Sequence, residues 1–486
     1  MSGARRRLAD GALARAGLLD AEGIEAALEL LERRADAPLE TVRVVFADQH
    51  GILRGKTVVA DALGSVLADG LAAPSTLLLK DTSHRTVFPV WSAETGMDVD
   101  MGGAGDLLLV PDPSTFRTLP WAPHSSWLFC EPRYRSGRAI PFAPRPVLRD
   151  AVERLAATGR ALVVGLEVEF HVFETVDAGL SHADATMPAR PVRTRNLDRG
   201  YQFLTETRYD RLEPVMDELR RHCLALGMPV RSMEVEMGPS QFEFTFDPAD
   251  PLTHADNMMR FRAMAKEACA RRGLHATFMC RPGLDNAAAS GWHLHQSLID
   301  VATGENLMVP ARADELSEAA HGWIAGLLEH AEACCLLTTP TVNGYKRYRP
   351  HQLAPNAIQW GRDNRGAMIR ALVAPGDPAS RIENRVAETA ANPYYFFAGQ
   401  ILSGLDGLAR ALKAPEPVET PYAPGSGRAL PDSLLGAIQA FEGSTFLRRE
   451  LGDECVDYLA RIRRAEWERY HREVSAWEQA EYFDLY

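Results

Sequence analysis

The chain is short of lysine, of paired cysteines and of long apolar runs. Its basic residues are almost all arginine; lysine occurs only as Lys56, Lys80, Lys266, Lys346 and Lys413. Codon bias in a GC-rich genome accounts for that, and it carries no functional weight. Cys130, Cys223, Cys269, Cys280, Cys334, Cys335 and Cys455 are scattered and odd in number, with no Cys-x-x-Cys pair. The pattern predicts neither a zinc site nor a disulfide framework, and reduced thiols in a cytoplasm are expected. No apolar stretch reaches the ~18 residues of a membrane span, and the charged start MSGARRRLADG lacks the apolar segment of a secretory signal. Also missing are a Gly-rich Walker loop, an internal repeat, a Ser-His-Asp order and an activated cysteine, so neither P-loop nor triad chemistry is expected.

What remains is ordinary globular material: 486 residues, 46% apolar and 24% charged, enough for two or three domains. Lys and Arg total 53 against 65 Asp and Glu, a net charge of −12. An acidic whole repels a phosphate backbone, which argues against a dedicated nucleic-acid binder. Local arginines with a metal can still hold a nucleotide.

Ile24, Ala27, Leu28 and Leu31 recur at helical spacing and predict an amphipathic helix over 21–33. Residues 41–46 and 52–59 read as strands around the turn Asp48-Gln49-His50-Gly51, a hairpin. Stretches 75–80 and 107–110 are further strand candidates, which makes the region up to Glu131 a small β-rich unit. Residues 132–146, rich in Pro, Arg and Gly, suit a linker. From a helix over about 146–157 onward, strands and helices alternate. Residues 415–424 read as a surface loop and 430–483 as mostly helical.

Chemistry concentrates on strands that are polar on one face. In Gly165-Leu166-Glu167-Val168-Glu169-Phe170 the two glutamates project together while the apolar residues face the core. Glu243 alternates with Phe242, Phe244 and Phe246; His293 and His295 share a face; Glu236 precedes a turn; Glu383 sits between Ile382 and Asn384. One such carboxylate simply meets water. Several converging on one sheet cannot all stay ionised without compensation, and divalent cations supply it. Oxygen-dominated ligands with one imidazole favour Mg²⁺ or Mn²⁺ over zinc. A second group is basic: Lys346, Arg347, Arg349, Arg362, Arg365, Arg370, Arg381 and Arg385. Guanidinium groups bind phosphate and carboxylate bidentately, and metals with arginines around a transferring phosphoryl group are a recurring solution.

These motifs together resemble glutamine synthetases of the bacterial type I class and their γ-glutamyl-amine ligase relatives, from about Val42 to the C-terminus. The resemblance is carried by Phe46–Lys56, the Glu-Val-Glu strand at 167–169, Glu236–Glu243, Ala276–Met279, Ser290–Ser297, Asn343–Arg370 and Arg381–Asp406. It implies an α+β architecture: a helical extension at 1–36, a β-grasp domain at 37–133 and a large catalytic α/β domain at 134–486. It also implies a homo-oligomer, a dodecamer of two hexameric rings with active sites between neighbouring subunits. By the same resemblance Glu169, Glu236 and Glu243 hold one metal, and Glu167, His293 and Glu383 hold a second beside the ATP phosphates. His295, Ser297 and Arg381 match nucleotide positions. Arg365 and Arg370 match arginines on the transferred phosphoryl group, and Arg347 and Arg385 match positions that handle the amino acid. The implied activity is a two-step ligation: ATP phosphorylates the γ-carboxylate of glutamate, and an amine displaces phosphate from the acyl phosphate. Two to three divalent ions per site and ATP as co-substrate belong to it, with small molecules as the only other partners and a cytoplasmic location.

Three departures bear on the nucleophile. Where the family places a flap glutamate that closes the site and takes a proton from ammonium, this chain has Leu353 in Pro350-His351-Gln352-Leu353-Ala354-Pro355. The family's Asn-Gly before Ser-Gly-x-His is Ala288-Ala289 here. The ammonium region aligns with Asp81-Thr82-Ser83-His84, Asp81 holding the catalytic position, and runs on into Phe88, Pro89 and Trp91. Replacing Glu by Leu removes charge and base together, which favours an organic, aromatic or hydrophobic amine that is already neutral at pH 7. Glutamine formation from ammonium and a non-catalytic structural or regulatory role are the alternatives; Leu353 opposes the first, and the intact set of candidate metal ligands opposes the second.

Overall fold

A computed structural model of the chain describes residues 2–35, 39–92, 99–177, 179–349 and 353–486. Three helices, Ser2–Ala9, Ala12–Arg15 and Ala21–Ala35, open the chain, the last containing the predicted amphipathic segment. A six-stranded sheet follows, built from β1 (Thr41–Ala47), β2 (Leu53–Val59), β3 (Leu71–Pro74), β4 (Asp106–Pro111), β5 (Arg117–Leu119) and β6 (Ala122–Tyr134). Its order is β2-β1-β6-β4-β3, with β5 paired to β6. β1 and β2 form the expected antiparallel hairpin, and β1 runs parallel to β6.

Two expectations fail locally. Residues 75–80 are not a strand: Ser75–Leu78 is a 3₁₀ turn that buries Ser75 and Leu78, closed by Leu79 N–H donating to the Thr76 carbonyl at 3.1 Å. Pro74 ends β3, having no N–H to extend the ladder. The linker also begins later than Pro132, because β4 keeps pairing with β6 as far as Tyr134, whose ring is buried.

The helix Pro144–Ala156 then leads into a nine-stranded sheet. Its strands are β7 (Arg160–Thr175), β8 (Thr194–Asn196), β9 (Val230–Val235), β10 (Gln241–Phe246), β11 (Leu274–Thr277), β12 (Trp292–Asp300), β14 (Trp360–Arg362), β15 (Ile369–Leu372) and β16 (Arg381–Asn384); β13 (Ala357–Ile358) and β17 (Arg428–Ala429) pair separately. The order is β14-β15-β16-β12-β7-β10-β9, with β8 and β11 also on β7. One face packs on the helix Pro251–Ala270, and Trp292 of β12 meets Phe396 and Phe397 of the helix Pro393–Ala409. There Phe170, Phe242, Phe244, Phe246, Phe261 and Phe278 form one aromatic cluster with ring centroids 5.1–5.7 Å apart. This apolar anchoring fixes the register of β7 and β10, so the residues alternating with the phenylalanines must share the opposite face.

The C-terminal part is helical, as expected, through Leu434–Glu442, Thr445–Leu451, Asp453–His471 and Ala476–Tyr482. All seven cysteines are buried free thiols. Among the described residues no helix is long and apolar enough to cross a membrane.

Candidate active site

Strand register assembles the site. Glu243 on β10 lies opposite Glu169 on β7; His293 on β12 lies opposite Glu167; His295 lies opposite Glu383 on β16, and Arg370 on β15 lies opposite Glu383 from the other side. Directly opposed residues of an antiparallel pair project to the same face, so five strands deliver these groups to one patch.

His293 is the hub. Its Nδ1 lies 2.6 Å from Glu167 Oε1 and 3.6 Å from Glu383 Oε1, and its Nε2 lies 4.0 Å from Glu169 Oε1. Two overlapping groups, Glu167–His293–Glu383 and Glu169–Glu243–His293, each have ligand atoms within 4.8 Å of one another. Glu236 sits half-buried at the end of β9, outside both triples, with one carboxylate oxygen accepting from Met237 N–H at 3.1 Å.

The electrostatics are those of an uncompensated acidic pocket. Burial first, then the charge of Glu236, raises Glu169 to about 8. Burial with the charges of Glu234 and Glu167 raises Glu236 to about 7. Burial with Glu167, Glu169 and Glu236 pushes Glu243 up to about 11. Glu167 goes the other way: burial opposes its charge, but the imidazoles of His293 and His295 hold it well below the usual carboxylate range. Glu383 is likewise held low against its burial, by His293 and Arg385. The pocket is therefore split, with part of its carboxylates poised to hold protons until something more positive replaces them.

The remaining candidates fall into two sets. Along the same face of β12, His295 Nε2 lies 3.1 Å from Glu167, Arg381 Nε donates to His295 Nδ1 at 3.2 Å, and Ser297 Oγ donates to the Ser380 carbonyl at 3.0 Å. Arg370 donates to Glu383 at 3.1 Å and to Asp363 at 2.8 Å, and Arg385 is bonded to Glu383 while its Nε has no partner. Arg347 is buried, and its Nη groups donate to the carbonyls of Val386 at 3.0 Å and Arg385 at 3.1 Å, with Nη2 3.4 Å from His293 Nε2. That geometry makes it a support beneath His293, not a group free to receive substrate. Arg365 is exposed and makes no ion pair among the described residues. Asp81 is not brought to the carboxylates either: it accepts from Ser83 N–H and Arg85 N–H, both at 2.9 Å, and pairs with Arg469 at 3.3 Å.

Two contributors escaped the sequence reading. The Gln241 amide donates to Glu169 at 3.2 Å, to the Ala289 carbonyl at 3.1 Å and to Ser290 Oγ at 3.0 Å, tying the Ala288-Ala289 loop to the carboxylates. Its position two residues before Glu243, hence on the same strand face, was the available signal. Gly291 donates its N–H to Glu169 at 3.0 Å, and a Cβ there would lie 2.4 Å from Arg347 Nη2. Only glycine admits that approach. In the flap, Leu353 has a φ of 53° and is 54% exposed; Pro350, His351 and Gln352 lie outside the described residues.

Convergent buried carboxylates, one central imidazole and flanking arginines are the chemistry of a site for divalent cations and phosphoryl groups. The chain belongs to the glutamine synthetase family, whose enzymes use ATP and divalent metals: residues 141–482 match its catalytic domain. Among curated relatives, the γ-glutamylanilide synthase of Acinetobacter sp is 37% identical over 95% of this chain and 96% of its own. The γ-glutamylethanolamide synthetase of Streptomyces coelicolor is 32% identical over 93% of this chain and 94% of its own. Among solved structures, a GmaS complex with ADP superposes with a TM-score of 0.78 at 28% identity, covering 94% of this chain and 99% of its own.

Proposed function

We propose that this chain is an ATP-dependent carbon–nitrogen ligase that joins the γ-carboxylate of glutamate to an organic amine through γ-glutamyl phosphate. The observation that carries the reading is the convergence of four carboxylates on His293 in a chain whose flap presents Leu353 where an ammonium-using site needs an acid. Similarity to anilide- and ethanolamide-forming enzymes supports an organic amine, and the greater identity to the anilide-forming one favours an aromatic amine.

The donor set fits divalent cations. Partly or fully buried glutamates raised to about 7, 8 and 11 mark a site that a hard cation would complete, and oxygen ligands around one imidazole suit Mg²⁺ or Mn²⁺. We assign Glu169, Glu236 and Glu243 to one ion and Glu167, His293 and Glu383 to a second, with room for a third. Bound there, the cations would neutralise the carboxylates and the phosphates of ATP.

The chain's own residues supply the rest. His295, Ser297 and Arg381 line the nucleotide side along β12. Arg370, held by Asp363 and Glu383, is pre-aimed at the phosphoryl group, and Arg365 closes on it from solvent. Arg385 meets the amino-acid carboxylate, with Arg347 fixing it from behind. The nucleophile enters past Leu353, and a neutral arylamine needs no base to begin its attack. Asp81, remote within one chain, reaches a neighbouring subunit's site, which fits a dodecamer of two hexameric rings. We read residues 1–36 as a helical extension, 37–133 as a β-grasp domain and 134–486 as the catalytic domain. Free buried thiols suit a cytoplasmic enzyme.

Phosphate release from ATP and glutamate, measured with aniline, ethanolamine, putrescine and ammonium together with product mass, tests this. The expected product is a γ-glutamylamide, with aniline the best of the four. Robust turnover with ammonium alone would make the enzyme a glutamine synthetase, and no amine-dependent ADP formation would make it non-catalytic.

A further inference from the structure

A cavity of about 980 Å³ opens between the N-terminal sheet and the catalytic domain, away from the carboxylate site. Its walls are largely apolar, contributed by Val45, Trp127, Met259, Ala263, Phe278 and Val342. Set into them are three cations that form no ion pair among the described residues. Arg262, on the helix Pro251–Ala270, points its guanidinium at the cavity. It donates only to the Thr389 carbonyl at 3.4 Å and to the Met259 sulfur at 3.7 Å, and its Nε has no partner. Lys266 lies one turn further along the same helix and Lys56 across the cavity on β2. None of the three forms an ion pair among the described residues.

The acids lining the same space are already committed. Glu267 is engaged by Arg43 at 2.7 Å and by the Trp121 indole at 3.0 Å, and Glu466 by Arg463 at 3.1 Å. Glu388 accepts from Thr341 N–H and Oγ1, both at 2.8 Å, and burial raises it to about 7. His50, also on the wall, is pushed by burial down to about 4 and is neutral. The local balance is positive. Loss of solvent lowers Arg262 to about 10, with Tyr394 and then Asp48 acting against it, and burial first and then Arg262 lower Lys266. A desolvated guanidinium facing an apolar chamber beside a second cation is costly unless an anion completes it.

We infer that this cavity is a binding site for a small organic anion with an apolar body: the carboxylate meets Arg262 and Lys266, and the body packs on Trp127, Met259 and Phe278. The chamber is far larger than a lone inorganic anion requires, and its apolar lining would go unused by one. The adjoining wall, Thr341–Asn343, continues directly into the turn Gly344–Arg347 that ends beneath His293, so occupancy is placed to be felt at the carboxylate site.

Benzoate is a suitable probe, titrated calorimetrically into the full-length protein without ATP or glutamate. Benzyl alcohol serves as the uncharged match and inorganic phosphate as the anion without a body. The expected result is saturable benzoate binding at least tenfold tighter than either control, weakened at least tenfold by Arg262→Met and by Lys266→Met. Lys266 stands at the exposed mouth, so K266M keeps the test open if R262M does not fold. Equal affinity for benzyl alcohol, tighter binding of phosphate, or benzoate binding untouched by a folded variant would overturn the assignment.

Discussion

Nδ1 of His293 lies 2.6 Å from Oε1 of Glu167, and this contact marks the ionised side of the pocket. It helps to hold Glu167 ionised, while burial first, and then the charges of neighbouring glutamates, push Glu169, Glu236 and Glu243 upward. The imidazole itself is kept neutral, since burial and Arg385 lower its affinity for a proton. A neutral imidazole between ionised and protonated carboxyls is the form in which a ligand set awaits a cation.

A pH dependence of stability follows. Glu169 is raised from 4.5 to about 8 in the folded chain. Between those values the folded apoprotein keeps a proton that the unfolded chain has lost, so its stability falls as pH rises through that window. Glu236 and Glu243 act in the same sense from 4.5 up to about 7 and about 11. The depressed Glu167 and Glu383 act oppositely, but their contribution is lost only as pH falls below the ordinary carboxylate range. Buried histidines such as His50 and His171, lowered to about 4, act oppositely up to their ordinary value of 6.5, so the carboxyls dominate only above it: thermal melts in EDTA should show Tm decreasing from about pH 7 into the mildly alkaline range, and excess Mg²⁺ should raise Tm most at the alkaline end. A Tm in EDTA that climbs over the same range would contradict the charge assignment.

Glu243→Gln separates stability from activity. Glu243 holds a proton in the folded apoprotein that the unfolded chain gives up, and a neutral amide of the same shape removes that cost, so the apo variant should melt at or above the parent temperature. Ligation should fall by roughly a hundredfold or more, since even groups one shell out from a metal cost 10–100-fold. An active variant with unchanged Mg²⁺ dependence would remove Glu243 from the site.

Gly291→Ala tests the packing beneath the hub. The added Cβ would sit 2.4 Å from Arg347 Nη2 and 3.0 Å from His293 Nε2, so the arginine must move. Destabilisation of about 1–3 kcal/mol is expected from such overpacking, with loss of activity from the displaced histidine. Denaturant melts and phosphate release read both.

Arg365→Ala should behave in the reverse way. The side chain is exposed and without an ion pair among the described residues, so stability should change by less than about 0.5 kcal/mol. If it closes on the phosphoryl group, kcat should drop by roughly a thousandfold, the scale of an arginine that meets transition-state charge. Loss of activity through a rise in the KM for glutamate alone would reassign it to substrate binding.

Much of this site was legible because strand alternation is a strict geometric rule. Glu167, Glu169, Glu243 and His293 each flank core residues such as Val168, Phe242 and Leu294, and burying those residues leaves the charged ones a single face. What alternation cannot give is pairing across strands. The sharing of His293 between both carboxylate groups depends on β12 lying beside β7, a contact between residues over a hundred positions apart. The structural use of Arg347 was hidden for the same reason, because carbonyls of Val386 and Arg385 leave no mark in composition. The 3₁₀ turn at Ser75–Leu78 was mistaken for a strand because two adjacent buried leucines suit either form; Pro74 was the discriminating signal.

The last prediction concerns the nucleophile. Leu353 is 54% exposed, and Ala288 packs near Gly238. An apolar side chain at that position offers nothing to attract ammonium or to accept its proton. Leu353→Glu should restore both an attraction and a base. Its expected effect is a rise of at least tenfold in kcat/KM for ammonium, on the scale of a positioned general base, with a fall for aniline. Because the residue is exposed, the substitution should leave Tm nearly unchanged, so a lost aniline activity cannot be ascribed to unfolding. Both amines responding in parallel would mean that position 353 does not face the nucleophile.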